Sequence, residues 1–206
     1  MKTLFISAKS KAKFKLPKFE KLPKNLAIAY SIQFQKQAQE IKKILEKNHK
    51  ITFFNQVLGC SLLNFSQNTE GVLLIGQGKF HATGLAIETK LPVYILEQNK
   101  ISKISKKEIE ILSKKQKGAY LKFLHAEKIG ILVSTKPGQQ NLKAAIKFQN
   151  KLQSSGAKKD SYLFIANDLD IAEFENFPQI RSWVNTSCRR MDMASSSIIN
   201  LDKIPK

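Results

Sequence analysis

The sequence predicts an α/β protein of two similar small parallel-sheet domains with flanking helices, preceded by a separate N-terminal strand. Three observations predict it. Short apolar, β-prone runs alternate with amphipathic segments of helical period, as in parallel sheets covered on both faces. The alternation occurs twice, on either side of a charged stretch. In each round the first strand runs into a glutamine-bearing helix start, Gln33 in one and Gln139 in the other.

The elements follow in order. TLFISA (3–8) reads as a strand, and KSKAKFKLPKFEKLPK (9–24) as a linker because of its lysines and prolines. LAIAYSI (26–32) is a buried strand. QFQKQAQEIKKILEKN (33–48) is a helix with Ala38, Ile41, Ile44 and Leu45 inward, and KITFF (50–54) is a second strand. After a loop holding Cys60 come the strand GVLLIG (71–76), a helix over 81–89 and the strand PVYILE (92–97). Residues 100–127 form a charged helical bridge. The second round has the strand IGILVST (129–135), a helix over 137–156 ended by Gly156, and the strand SYLFIAN (161–167). A short helix around IAEFENF (171–177) and the strand SWVNTS (182–187) then deliver Cys188. The expected divisions are 1–24, 25–117 and 118–206.

Composition bounds the function. No apolar run approaches the roughly 20 residues that span a bilayer, and the apolar core at Leu4 to Ala8 is too short for a secretory leader. A cytoplasmic, non-membrane protein is expected. There a pair of distant cysteines stays reduced and open to a metal or substrate. A formal charge of +19 draws the chain toward RNA, ribosomes or acidic partners. Lysine supplies nearly all of it, arginine being confined to Arg181, Arg189 and Arg190. With no arginine-rich arm, zinc-finger spacing or aromatic RNA-binding strand, RNA contact is a secondary role.

Both cysteines, in FNQVLGC (54–60) and WVNTSCRR (183–190), directly follow β-prone runs, and strand ends are where open α/β sheets present their chemistry. GQGKFH (76–81) follows a strand and opens a helix, so its amides suit an anionic group. Because position 81 is His81, it is not the dinucleotide fingerprint GxGxxG. KPGQ (136–139) occupies the equivalent turn in the second round. His81 is a base, a ligand or a structural hydrogen-bonding group; His49 and His125 read as solvated. Asp168 and Asp170 read as helix caps and Trp183 as core. A cysteine after a strand is commonly a small buried hydrophobe, and an iron–sulfur cluster requires several converging thiolates.

Taken in succession, FNQVLGC, GVLLIGQGKFHATGLAIETKLPVYIL, GILVSTKPGQQNLKAAIKFQNKL and LFIANDLDIAEFENFPQIRSWVNTSCRR resemble the archaeal-type diphthamide synthase family, the 2-(3-amino-3-carboxypropyl)histidine synthases. The likeness runs from Thr3 through essentially the whole chain. It implies a non-classical radical S-adenosylmethionine enzyme. In that family three α/β domains each donate one cysteine to a 4Fe-4S cluster, whose open iron holds S-adenosylmethionine. The aminocarboxypropyl fragment is passed to a histidine of translation elongation factor 2, the first step of diphthamide biosynthesis. By position, Cys60 and Cys188 resemble cluster ligands. Gln33, Gly76, Gly78, Phe80 and His81 would line the cofactor crevice from the central domain, and Gly138 and Gln139 from the next.

The resemblance implies that the family's first domain and its cysteine are missing here, the strand over 3–8 being what is left of that domain, and Phe34 and Arg189 stand where the family's His and Pro are expected. The resemblance therefore implies an N-terminal-domain polypeptide or a paralogue supplying the third cysteine, in a dimer or heteromer. Two alternatives stand beside it: a non-catalytic binding partner of that enzyme, and a basic RNA-binding α/β protein with both thiols in its core.

Overall fold

Strand β1 (Asn25–Tyr30) is buried along its last five residues, because it is flanked by parallel strands on both sides. The computed structural model describes residues 4, 6–11, 19, 21–57, 63–97, 99–154, 156, 159–193 and 195–205. They divide into two compact units, Met1–Glu110 and Ile111–Lys206.

In the first unit β1 leads through a 3-10 turn (Ile32–Phe34) into α1 (Gln35–Leu45) and β2 (Lys50–Gln56). β3 (Gly71–Ile75), α2 (Lys79–Thr89), β4 (Val93–Glu97) and β5 (Lys100–Lys103) follow. The sheet order is β2-β1-β3-β4-β5, parallel except for β5. The two-residue alternation of the strands decides which helix covers which face. Leu26, Ile28, Leu73 and Ile75 pack with Ala38, Ile41 and Leu45 of α1. Ala27, Ala29, Val72 and Leu74 pack with Ala82, Leu85 and Ala86 of α2. The helices therefore lie on opposite faces, and the chain reverses direction across the sheet between β1 and β3. A crevice opens beyond the carboxyl ends of strands at such a reversal.

The second unit contains most of α3 (Lys106–His125), then β6 (Lys128–Ser134), α4 (Leu142–Ser154), β7 (Asp160–Ala166), β8 (Ser182–Asn185) and β9 (Ile198–Asn200). Every pairing in its sheet, β7-β6-β8-β9, is parallel. One face packs Ile129, Ile131, Val133 and Val184 under Ala119 and Phe123 of α3 and Ala145, Phe148 and Leu152 of α4. The other face has an aromatic cluster in place of a helix. Trp183, 2% exposed, stacks on Phe174 at 4.1 Å between ring centroids and meets Phe164 edge-on at 4.7 Å.

Several elements depart from expectation for physical reasons. Leu4 and Ile6–Ala8 lie outside any strand, with Leu4 and Ile6 more than 80% exposed, since no neighbouring strand meets their backbone among the described residues. Instead Ser10 ties this segment down: its N–H donates to the Gln33 carbonyl at 2.8 Å, and its carbonyl accepts from Gln37 Nε2 at 3.0 Å. Ile44 is 36% exposed, and the buried positions of α1 include Gln37 instead. The charged bridge opens with β5, antiparallel to β4, before α3 begins. The helix expected from 137 starts at Leu142, because Pro137 and Gly138 form a turn closed by Gln139 N–H to the Lys136 carbonyl at 3.0 Å. Residues 172–176 are a 3-10 turn, and β9 has no counterpart in the sequence reading. His49 is held, its Nδ1 lying 2.9 Å from the Pro23 carbonyl. No helix among the described residues is long and apolar enough to cross a membrane.

Candidate functional site

At the carboxyl edge of the first sheet, the loops after β1 and β3 lie side by side. Ser31 N–H donates to the Ile75 carbonyl at 3.1 Å, and a Cβ on the buried Gly76 would stand 3.4 Å from Ser31 Oγ. Gln33 is exposed in the 3-10 turn at this same edge. Gly78 has φ +82°, a conformation costly for any side chain, and starts α2; Phe80 and His81 follow within the helix, His81 half-buried. The sequence expects an anion at this helix start, and the chain supplies one of its own. Gly78 N–H donates to Glu97 Oε1 at 2.5 Å. Lys79 in turn pairs with Glu108 at 2.6 Å. That hydrogen bond, with those from the Ser105 amide and hydroxyl, lowers the Glu108 carboxyl to about 2. Cys60 lies outside the described residues.

The second unit presents the matching edge. Gly138, at φ +78°, and Gln139 lie in the turn after β6. Lys136 pairs with Asp168, whose carboxyl it holds below the usual range, while Asp170 Oδ1 accepts the Ala172 N–H at 3.0 Å as a cap. Thr186 returns to β6, its hydroxyl donating to the Leu132 carbonyl at 2.7 Å. Ser187 Oγ accepts the Ser134 N–H at 2.7 Å. Cys188, a half-buried free thiol, follows directly.

The backbone around Cys188 is held by residues the sequence reading missed. Asn185 and Asn200 are register partners at the ends of β8 and β9, 2% and 3% exposed. Asn185 Nδ2 donates to Asn200 Oδ1 at 2.6 Å and to the Cys188 carbonyl at 2.8 Å, and its Oδ1 accepts the Ser187 N–H at 3.0 Å. Asn200 Nδ2 donates to the Arg189 carbonyl at 2.8 Å. Four residues beyond the cysteine, burial raises the Asp192 carboxyl above its ordinary value, opposed by Gln116 Nε2 at 3.3 Å. The signal for Asn185 was an amide directly after the apolar pair Trp183 and Val184 at the end of the strand.

Chemically, Cys188 is a soft donor at a polar, well-fixed sheet edge, suited to a thiophilic metal. Among the described residues no three His, Cys, Asp or Glu side chains gather as a complete metal site. A 4Fe-4S cluster takes thiolates from several cysteines, and this chain has two, so its donor set fits part of such a site.

Fold and edge together define an α/β protein of repeated sheet units with a thiol at a carboxyl-terminal strand edge. Residues 2–197 match the family described as "Putative diphthamide synthesis protein", and the chain belongs to that family. It is 27% identical over 198 residues to the 2-(3-amino-3-carboxypropyl)histidine synthase of Pyrococcus horikoshii, spanning 91% of this chain and 57% of that one. The crystal structure of Dph2 from Pyrococcus horikoshii superposes with a TM-score of 0.77 at 26% identity, covering 89% of this chain and 57% of the other. The structure of the same protein with a 4Fe-4S cluster gives 0.76 over the same shares. The chain thus spans just over half the length of the relatives it matches.

Proposed function

We propose that this chain forms part of a 2-(3-amino-3-carboxypropyl)histidine synthase, with Cys60 and Cys188 as two thiolate ligands of a 4Fe-4S cluster. The third thiolate comes from outside these 206 residues, from a further domain, a separate polypeptide or a paralogue. The substrates are S-adenosylmethionine and a histidine of translation elongation factor 2. When bound, the cluster supplies the electron and the open iron site that side chains lack.

The chain's own residues bind and orient. Gln33, Gly76, Gly78, Phe80 and His81 at the edge of the first unit are assigned to the methionine end of S-adenosylmethionine, and Gly138 and Gln139, at the second unit's own edge, are assigned to the same ligand. Because Glu97 already takes the Gly78 amide, that corner presents a carboxylate, which favours the ammonium group of the methionine moiety. The observation that carries the reading is the place of Cys188, a partly exposed thiol on a braced strand end in a chain of this family.

Anaerobic reconstitution with iron and sulfide tests it. The chain alone should retain little iron; with the part that supplies the third cysteine it should gain the broad visible absorbance of a thiolate-ligated cluster. Cys60→Ala or Cys188→Ala should abolish that gain. Full loading of either variant would refute the assignment. Glu97→Gln should weaken S-adenosylmethionine binding measured by calorimetry on the reconstituted assembly.

A further inference from the structure

We propose that Asn185 and Asn200 are positioning residues that hold the Cys188 thiol for cluster ligation; this rests on Cys188 being a ligand. Burying two side-chain amides at the end of a sheet is costly unless every donor and acceptor is matched. Their neighbours toward the core, Val184 and Ile199, are apolar and almost fully buried, so the sheet itself has no use for amides there.

The hydrogen bonds have one destination. Apart from the bond between the two amides, all go to residues 187, 188 and 189: the Ser187 N–H, the Cys188 carbonyl and the Arg189 carbonyl. The Cys188 carbonyl also accepts the Met191 N–H at 3.1 Å, so both its lone pairs are used. The 186–187, 188–189 and 189–190 peptide units, which flank the cysteine on both sides, are therefore fixed to the rigid strands β8 and β9. The task also dictates the residue type. Asn185 donates two hydrogens from Nδ2 and accepts one at Oδ1, a combination that a carboxamide supplies and that a hydroxyl or a neutral imidazole, with one donor each, does not. An aspartate would turn an acceptor toward carbonyl oxygens. Partners behind a metal ligand act by orienting it, and their loss typically lowers metal affinity about 10- to 100-fold.

The test uses a Cys60→Ser background, in which Cys188 is the sole thiol, and needs no partner. Asn185→Ala, and Asn200→Ser as the milder variant, should raise the rate of Cys188 alkylation by iodoacetamide several-fold in the folded chain, with folding followed by circular dichroism. In the reconstituted assembly carrying both native cysteines, the same substitutions should weaken loading from limiting ferrous iron and sulfide by about tenfold or more. They should also shift the cluster's reduction potential. A lowered unfolding midpoint with unchanged alkylation and unchanged iron loading would overturn the inference, leaving the amides as sheet terminators. If Cys188→Ala abolishes loading while the asparagine variants load normally, the positioning role alone fails. If Cys188→Ala loads fully, the ligand assignment fails and takes this inference with it.

Discussion

Gly130 pairs in register with Trp183, and a Cβ there would lie 2.3 Å from the indole Cε3 and 2.4 Å from Cζ3. The ring sits under Phe164, Phe174 and Phe177 with nowhere to move. Gly130→Ala should therefore destabilise the second unit by about 1–3 kcal/mol through overpacking. Urea unfolding followed by fluorescence of Trp183, the chain's one tryptophan, measures it directly. Adding Trp183→Leu should recover part of the loss, because the smaller side chain vacates the space; circular dichroism follows that variant, which lacks the fluorophore. A different constraint acts at Gly138, where Pro137 and a positive φ make the turn that delivers Gln139. That turn is readable from the adjacent Pro and Gly, whereas the demand on Gly130 depends on a residue 53 positions away that only the β6–β8 pairing brings alongside.

At the scale of the element, α3 shows how a helix start serves the site edge. Ser105 and Glu108 cap it reciprocally: Glu108 N–H donates to Ser105 Oγ at 3.2 Å, and Ser105 N–H to Glu108 Oε2 at 2.9 Å. The same carboxylate holds Lys79 at the first position of α2, tying the two helix starts together. Glu108 titrates near 2 in the folded chain against an ordinary 4.5. Its contribution to stability is therefore fully present above the ordinary value and lost as pH falls from about 4.5 toward 2. Urea midpoints of the native chain and of Glu108→Gln should differ at pH 6 and converge across that acid window; a constant gap would disprove the coupling. Ser105→Ala should cost about 1 kcal/mol at neutral pH, read in the same assay. The spacing S-x-x-E was present in the sequence to signal this cap. At the other end, Lys159 Nζ closes α3 by donating to the carbonyls of Phe123, Leu124 and Ala126 at 3.1, 2.7 and 2.6 Å. Nothing local announces that bond, since it joins residues more than 30 apart.

For the whole molecule, charge and repetition matter most. With 35 basic residues against 16 acidic, the folded chain repels itself. Raising salt from about 0.05 to 0.3 M should therefore raise its thermal midpoint, because screening shortens the range of that repulsion. A midpoint that falls with salt would show that ion pairs dominate instead. Repetition is visible in the sheets: β2-β1-β3-β4 and β7-β6-β8-β9 have the same order relative to the chain. Each reverses direction beside its first strand, and at those reversals lie Gln33 and Gly76 in one unit and Gly138 and Cys188 in the other. The alternating apolar pattern made this architecture and those loops legible.

The sequence by itself determined the two rounds of strand and helix, the inward place of Ala38, Ile41 and Leu45, the glycine turns and the strand-end place of Cys188. All of these follow from periodicity and backbone stereochemistry, which act over a few residues. The tertiary structure alone decided what surrounds them: the Asn185–Asn200 pair behind Cys188, the Glu97 carboxylate on Gly78, β9, and the aromatic face over Trp183. Those features join residues distant in the chain, and a buried polar group or a ring finds its partner only when the strands have chosen their neighbours.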